Sequence, residues 1–155
     1  MKISKKTDYA LRALFTLVQQ YSQGRPISIG QLARRNDVPK RFLERIMLEM
    51  KVKGWVTSVM GKQGGYVLAK SPEEITVGQV IRHFDGVLSP IGCVSVHQYE
   101  RCNQEVACRF RRLFLEVRNH TTGLMDAATL ARVNDGKPVQ PEEVYSMDLI
   151  GGAGI

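Results

Sequence analysis

Residues 28–53 read SIGQLARRNDVPKRFLERIMLEMKVK, and the fold turns on how they divide. Ser28 can cap a short helix from Ile29 to about Arg35, because its hydroxyl accepts from the otherwise unpaired N–H groups of the first turn; Leu32 and Ala33 then face inward. Asn36-Asp-Val-Pro39 makes a turn, and a proline suits the start of the following helix because the N–H it lacks would have had no partner there. That helix runs from Pro39 to about Lys53. Its apolar positions Phe42, Leu43, Ile46, Met47 and Met50 share one face, leaving Lys40, Arg41, Glu44, Arg45, Lys51 and Lys53 for the other. Two short helices joined by a tight turn, the second basic, make a helix-turn-helix.

The pattern extends on both sides. Upstream, Tyr9, Ala10, Ala13, Leu14, Leu17 and Val18 recur at helical spacing from Thr7 to Tyr21, until Gly24-Arg-Pro26 stops the run. Downstream of Gly54 the period changes to two, with Trp55–Val59 and Tyr66–Ala69 as strands around the tip Met60-Gly-Lys-Gln-Gly-Gly65. A helix-turn-helix followed by such a hairpin is a winged helix, whose recognition helix enters the major groove of DNA while the wing touches backbone or minor groove. The expected fold class is mainly α with a small β-hairpin wing, a winged helix-turn-helix joined to a long dimerisation helix.

Beyond Ser71-Pro72, Thr76 can cap a helix holding Val77, Val80, Ile81 and Phe84, ended by Asp85-Gly86. Residues 87–107 show no sustained period. From Cys108 to about Val133, Phe110, Leu113, Phe114, Val117, Thr121, Leu124, Met125, Ala128 and Ala131 keep helical spacing over about seven turns, more than so small a core can cover. The stripe is therefore expected to pack partly against a second subunit. The organisation expected is a winged helix-turn-helix over 1–72, a connecting helix, cysteine loop and dimerisation helix over 73–133, and a tail over 134–155, mobile at its glycine-rich end.

The chain has 155 residues, 43% hydrophobic and 24% charged, which suits one ordinary globular domain with an appendage and excludes a large multidomain enzyme. Its net charge of +7 is unevenly placed: residues 1–70 carry 14 Lys+Arg against 4 Asp+Glu, and residues 71–155 carry 8 against 11. A one-sided positive field of this kind suits a polyanion, nucleic acid above all. No apolar run approaches the roughly 20 residues of a membrane span. The start, Met1-Lys-Ile-Ser-Lys-Lys, leads into an amphipathic stretch rather than a signal-peptide core, so a cytoplasmic chain without a membrane partner is expected.

All three cysteines, Cys93, Cys102 and Cys108, fall within 16 consecutive residues, as C-x8-C-x5-C. An odd number in a chain read as cytosolic argues against a disulfide scaffold. Three readings stay open: a metal or iron–sulfur cluster completed by a fourth, non-cysteine ligand, a bare thiol switch with Cys108 at a helix N-terminus, or inert buried thiols. His97 lies in the same loop and is a candidate fourth ligand, whereas His83 and His120 lie on helices and read as structural. Nothing resembles a nucleophile elbow, a phosphate loop or a carboxylate pair, so an enzyme is not expected, a thiol oxidoreductase being the least favoured alternative.

The order of parts resembles the Rrf2 family of winged-helix regulators, with its IscR-, NsrR-, RirA- and CymR-like members. The resemblance covers about residues 1–133 and is carried by Met1-Lys-Ile-Ser with Thr7-Asp-Tyr-Ala-Leu-Arg12, Ile29-Gly-Gln-Leu-Ala33, Phe42-Leu-Glu-Arg-Ile46, Gly61-Lys-Gln-Gly-Gly-Tyr-Val-Leu-Ala69 and Ile75-Thr-Val-Gly-Gln-Val-Ile81. It implies a homodimeric DNA-binding transcription regulator, repression being the commoner mode, whose Cys93, Cys102 and Cys108 hold an iron–sulfur cluster, 4Fe-4S ahead of 2Fe-2S. In NsrR-like members the aspartate matching Asp8 ligates the cluster of the other subunit, which places Asp8 ahead of His97 and of an outside ligand. The expected contacts to a double-stranded operator are Ser28, Lys40, Arg41, Arg45, Lys62 and Gln63. Two departures bear on function: Met60 stands where the family's wing usually carries an arginine, and the longer gap between the first two cysteines leaves the signal (iron, nitric oxide or redox state) unassigned.

Overall fold

The computed structural model describes residues 2–144. Seven helices and one hairpin follow in the order α1 (Lys5–Val18), α2 (Ile29–Asn36), α3 (Lys40–Val52), β1 (Val56–Val59), β2 (Gly65–Leu68), α4 (Val77–Phe84), α5 (Arg109–Ala127), α6 (Leu130–Asn134) and α7 (Pro141–Val144). Single 3-10 turns lie at Tyr21–Gln23 and Gly92–Val94. The architecture is the expected winged helix-turn-helix.

Local chemistry accounts for the helix starts. Ser28 accepts from the Gln31 N–H at 3.3 Å while the Gln31 side chain takes the Ser28 N–H at 3.1 Å, a reciprocal capping box; Thr76 and Gln79 repeat it at α4. Between α2 and α3, Asp37 adopts a left-handed conformation (φ 52°) and Val38 is buried, its N–H returning to the Ala33 carbonyl at 3.0 Å. The first helix ends at Val18 rather than at the expected Tyr21, which falls in the 3-10 turn.

α1 lies at the centre. Its Ala10, Ala13, Leu14 and Leu17 pack with Leu32 of α2, Leu43, Ile46, Met47 and Met50 of α3, Trp55, Val56 and Leu68 of the wing base, and Ile75, Val80 and Leu130. Full burial of each large side chain contributes about 1.5–3 kcal/mol. The cluster runs from Ala10 to Leu130, so the core continues across Ser71-Pro72. Phe42, expected inward, is half out of this core, edge-on to Tyr9 with ring centroids 5.8 Å apart.

The hairpin pairs Val56 with Leu68 through Val59 with Gly65, antiparallel. Tyr66 also exchanges both backbone hydrogen bonds with Ile27, at 2.9 and 3.0 Å, which fastens the wing to the entrance of the helix-turn-helix. Gly65 is required for that approach, since a Cβ there would sit 2.4 Å from the Ile27 carbonyl.

One expectation is corrected. The helix from Cys108 to Val133 is two helices, broken at Ala128, whose backbone is extended (φ −86°, ψ 91°). Val77 N–H donates to the Ala128 carbonyl at 2.8 Å and Leu130 N–H to the Ile75 carbonyl at 2.9 Å, so this segment forms a short antiparallel bridge instead of a helical turn. Thr129 then caps α6, and Leu130 enters the core. α5 itself buries no residue: Phe110 is 72%, Leu124 61% and Leu113 54% exposed. The mobile end expected of the tail, with Gly151, Gly152 and Gly154, lies outside the described residues.

Candidate nucleic-acid interface and cysteine loop

Because Leu43, Ile46, Met47 and Met50 bury one face of α3, its other face is open, and Lys40, Arg41 and Arg45 are all exposed there. Lys40 lies 3.9 Å from Glu44; among the described residues neither Arg41 nor Arg45 meets a carboxylate. Lys62 and Gln63 are exposed on the wing tip, where Gly61 takes φ +118° to turn the chain. Lys51 donates to the Ser58 hydroxyl at 2.7 Å, which ties the end of α3 to the wing. Ser28 is half-buried with its hydroxyl engaged in the capping box. Arg34, which the sequence reading did not single out, shares with Lys40, Tyr9 and Asp37 a cleft of about 590 Å³ between α2 and α3. Its signal was a basic last turn of α2, visible as Arg34-Arg35.

In the segment after α4, Cys93 is buried in the 3-10 turn Gly92–Val94, and Cys108 is half-buried as the N-cap of α5. Both line one cleft of about 510 Å³ with Tyr99, Arg111, Arg112, Leu115 and Arg118. Cys102 is exposed and does not line it, and all three thiols are free. Arg111 Nε donates to the Cys93 carbonyl at 3.2 Å and Arg118 Nη1 to the Val94 carbonyl at 2.7 Å. The Tyr99 hydroxyl donates to Glu105, and that bond, before burial, holds the phenol above its ordinary pKa.

Neither candidate fourth ligand lines that cleft. Asp8, on the first turn of α1, is held by Arg12, with Nε to Oδ1 at 3.0 Å and Nη2 to Oδ2 at 2.8 Å. His97 is exposed with its ring against Gly86, in a second cleft with Ser4, Lys5 and Asp85. Among the described residues of one chain, no three His, Cys, Asp or Glu side chains are gathered as a metal set. The donors nevertheless fit an iron–sulfur cluster in kind: three soft thiols on one short segment, two of them already facing one cleft, which leaves one ligand to come from outside the three.

The helix that leads into the cysteine loop, α4, is also joined to α1. Ser4, the N-cap of α1, donates its N–H to Asp85 at the end of α4 at 2.8 Å. Burial pushes the Asp85 carboxyl up, but hydrogen bonds from Ser4 and Thr7 and the charge of Lys6 outweigh it and hold the pKa below its ordinary value.

A basic recognition helix, a basic wing and a core centred on α1 define a winged-helix DNA-binding protein. The Rrf2 family model, described as an iron-dependent transcriptional regulator, matches residues 3–136. An Rrf2-like HTH-type transcriptional regulator of Rhodobacter capsulatus is 38% identical over 133 residues, covering 83% of this chain and 89% of the relative. CymR of Bacillus subtilis is 30% identical over 88% of this chain and 94% of its own. The solved structure of CymR, titled the global cysteine regulator of that organism, superposes with a TM-score of 0.72 at 28% identity, over 89% of this chain and 99% of that one. The IscR structure from T. potens gives a TM-score of 0.68 at 28% identity, covering 94% of this chain and 97% of the other. The chain belongs to the Rrf2 family of DNA-binding transcriptional regulators.

Proposed function

We propose that the protein is a homodimeric regulator whose hold on a pseudo-palindromic operator is set by an iron–sulfur cluster on Cys93, Cys102 and Cys108, with Asp8 of the partner subunit as the fourth ligand and 4Fe-4S as the expected type. It acts in the cytoplasm, as a repressor, and is not an enzyme. Arg41 and Arg45 from α3, with Lys40, Ser28, Lys62 and Gln63, contact the duplex; the unpaired guanidiniums supply most of the phosphate attraction. The observation that carries the sensing proposal is that Cys108 stands at the N-cap of α5, whose Phe110, Leu113, Val117 and Leu124 are exposed among the described residues. A change of ligation at Cys108 therefore acts on the start of the helix offered to the second subunit, and through it on the spacing of the two recognition helices. When bound, the cluster supplies a ligand set that iron supply, oxidants or nitric oxide can alter.

A second reading is favoured by one specific observation: Cys93 and Cys108 are free thiols on one cleft, as a cluster-free redox switch requires. One experiment separates the two. Protein purified anaerobically is analysed for iron, sulfide and visible absorption, then titrated with operator duplex at several salt concentrations. Bound iron with sulfide and a salt-steep affinity, reduced by about 10–100-fold in Arg41→Ala/Arg45→Ala, is expected. A colourless protein whose affinity changes with oxidant alone supports the thiol switch, and a salt-independent affinity overturns the DNA contacts assigned to α3.

A further inference from the structure

Beyond the buried Cys93 and Val94, apolar packing does little to hold the cysteine loop, since none of residues 95–107 is buried. The turn that carries Cys93 is also hydrogen-bonded to α5. Arg111 and Arg118 stand seven residues apart, two helical turns on one face, and each gives a guanidinium N–H to a carbonyl of the Gly92–Val94 turn: Arg111 to Cys93 at 3.2 Å, Arg118 to Val94 at 2.7 Å. Asn119 fixes the second guanidinium, accepting from Arg118 Nη2 at 2.7 Å. Glu105 steadies the first from the loop side, 3.7 Å from Arg111 while it accepts from Tyr99 at 2.6 Å. Arg112, beside them in the sequence and on the same cleft, bonds among the described residues only to Glu116 of its own helix, at 2.9 Å.

We propose that Arg111 and Arg118 are the positioning residues of the cysteine site: two guanidinium–carbonyl bonds hold Cys93 against the helix that Cys108 caps and set how readily the Cys93 thiol is reached. Guanidinium stays charged throughout the physiological pH range, and charge-assisted bonds are the stronger kind, so the clamp holds whatever the state of the thiols. It grips main-chain carbonyls rather than sulfur, which leaves the thiols themselves free to ligate or react. A group that draws Cys93 out of the cleft, or adds bulk to it, must break both bonds. That strain falls on α5, the helix offered to the second subunit. The regulatory weight of the clamp rests on the function proposed above; the clamp itself is tested by thiol chemistry alone.

The full-length, reduced, metal-free protein is treated with a small aromatic disulfide. Each reacting thiolate attacks the reagent's S–S bond, forming a mixed disulfide and releasing one coloured thiolate, and peptide mass analysis resolves the rate at each cysteine. In the unaltered protein Cys102 reacts first and Cys93 last. In Arg111→Ala/Arg118→Ala the Cys93 rate rises about tenfold or more, as expected for opening a buried group by the loss of charge-assisted bonds, while Cys102 keeps its rate. Arg118→Lys, which keeps the charge but not the planar fork, gives an intermediate Cys93 rate, and Arg112→Ala gives that of the unaltered protein. An unchanged Cys93 rate in the double variant, or equal acceleration at all three cysteines, overturns the clamp. Parallel titration with operator duplex keeps the two questions apart: failure of the unaltered protein to bind in both its cluster-loaded and metal-free forms would remove the regulator proposal, while the labelling ratio would still decide the clamp.

Discussion

His83 lies edge-on to Trp55 and Phe84, at centroid distances of 5.4 and 4.6 Å, and its Nε2 is buried with no hydrogen-bond partner among the described residues. Glu49 of α3 is 3.9 Å away, already bonded to Lys6 of α1 at 2.8 Å. Desolvation, then the charges of Lys53 and Lys6, hold the imidazole below its ordinary pKa against the opposing pull of Glu49. The folded state thus prefers neutral His83, while in the unfolded chain it takes a proton at about pH 6.5. Its contribution is complete above that value and is lost as pH falls below it, because there the unfolded state binds more protons. Denaturant titrations between pH 8 and 5 should therefore show the unaltered protein losing more stability than His83→Gln, with the two curves diverging below about pH 6.5. Parallel curves would show that His83 is not desolvated. This environment was not readable from the sequence, where His83 was a helix residue of structural type, because the rings and charges around it come from other elements. The exposure of Arg41 and Arg45 was readable, since a helix that buries Leu43, Ile46 and Met47 leaves those positions no other face.

Elements were legible where the signal is local and were missed where it is not. Ser28 and Thr76, expected as caps, both cap their helices, and each cap is completed as a box by a glutamine three residues on, Gln31 and Gln79, which the sequence reading did not single out. The break between α5 and α6 has no such mark, because Ala128 and Ala131 continue the apolar period of α5 and the bridge that interrupts it comes from Ile75–Val77, distant in the chain. The two sides of the break differ in energy. Leu130 is 3% exposed within the core cluster, whereas Thr129 contributes a cap through the Arg132 N–H at 3.1 Å. Leu130→Ala should cost about 2–5 kcal/mol by transfer and cavity terms, and Thr129→Ala about 1 kcal/mol by loss of the cap. Guanidinium titration reads both. Equal small losses would mean that α6 is not anchored in the core.

At the scale of the molecule, the charge division and the exposed helix describe two surfaces with different partners. The basic excess lies in residues 1–70, with α3 and the wing, while α5, which carries Arg109, Arg111, Arg112 and Arg118 against Glu116 and Asp126, presents Phe110, Leu113, Val117 and Leu124 to the outside. The sequence already indicated that this stripe exceeds what one small core can cover; how fully it is exposed became visible only when the break at Ala128 turned Leu130 inward and left α5 with no buried residue. An apolar helix face of this extent is covered in a stable state, and a second copy of the same face would cover both by two-fold symmetry. In the function proposed above such a pair would bind two half-sites at once, and the gain over a single half-site would come from effective concentration, with no new contact to DNA. Leu113→Glu/Leu124→Glu places two charges on the stripe without touching the cluster from Ala10 to Leu130, so the fold should survive. Light scattering should then report a monomer with an unchanged circular dichroism spectrum. Affinity for the full operator should fall by about 10²–10⁴-fold while affinity for an isolated half-site stays the same. A double variant that remains dimeric would move the interface off α5, and a loss at the half-site as well would place α5 within the DNA-binding unit itself.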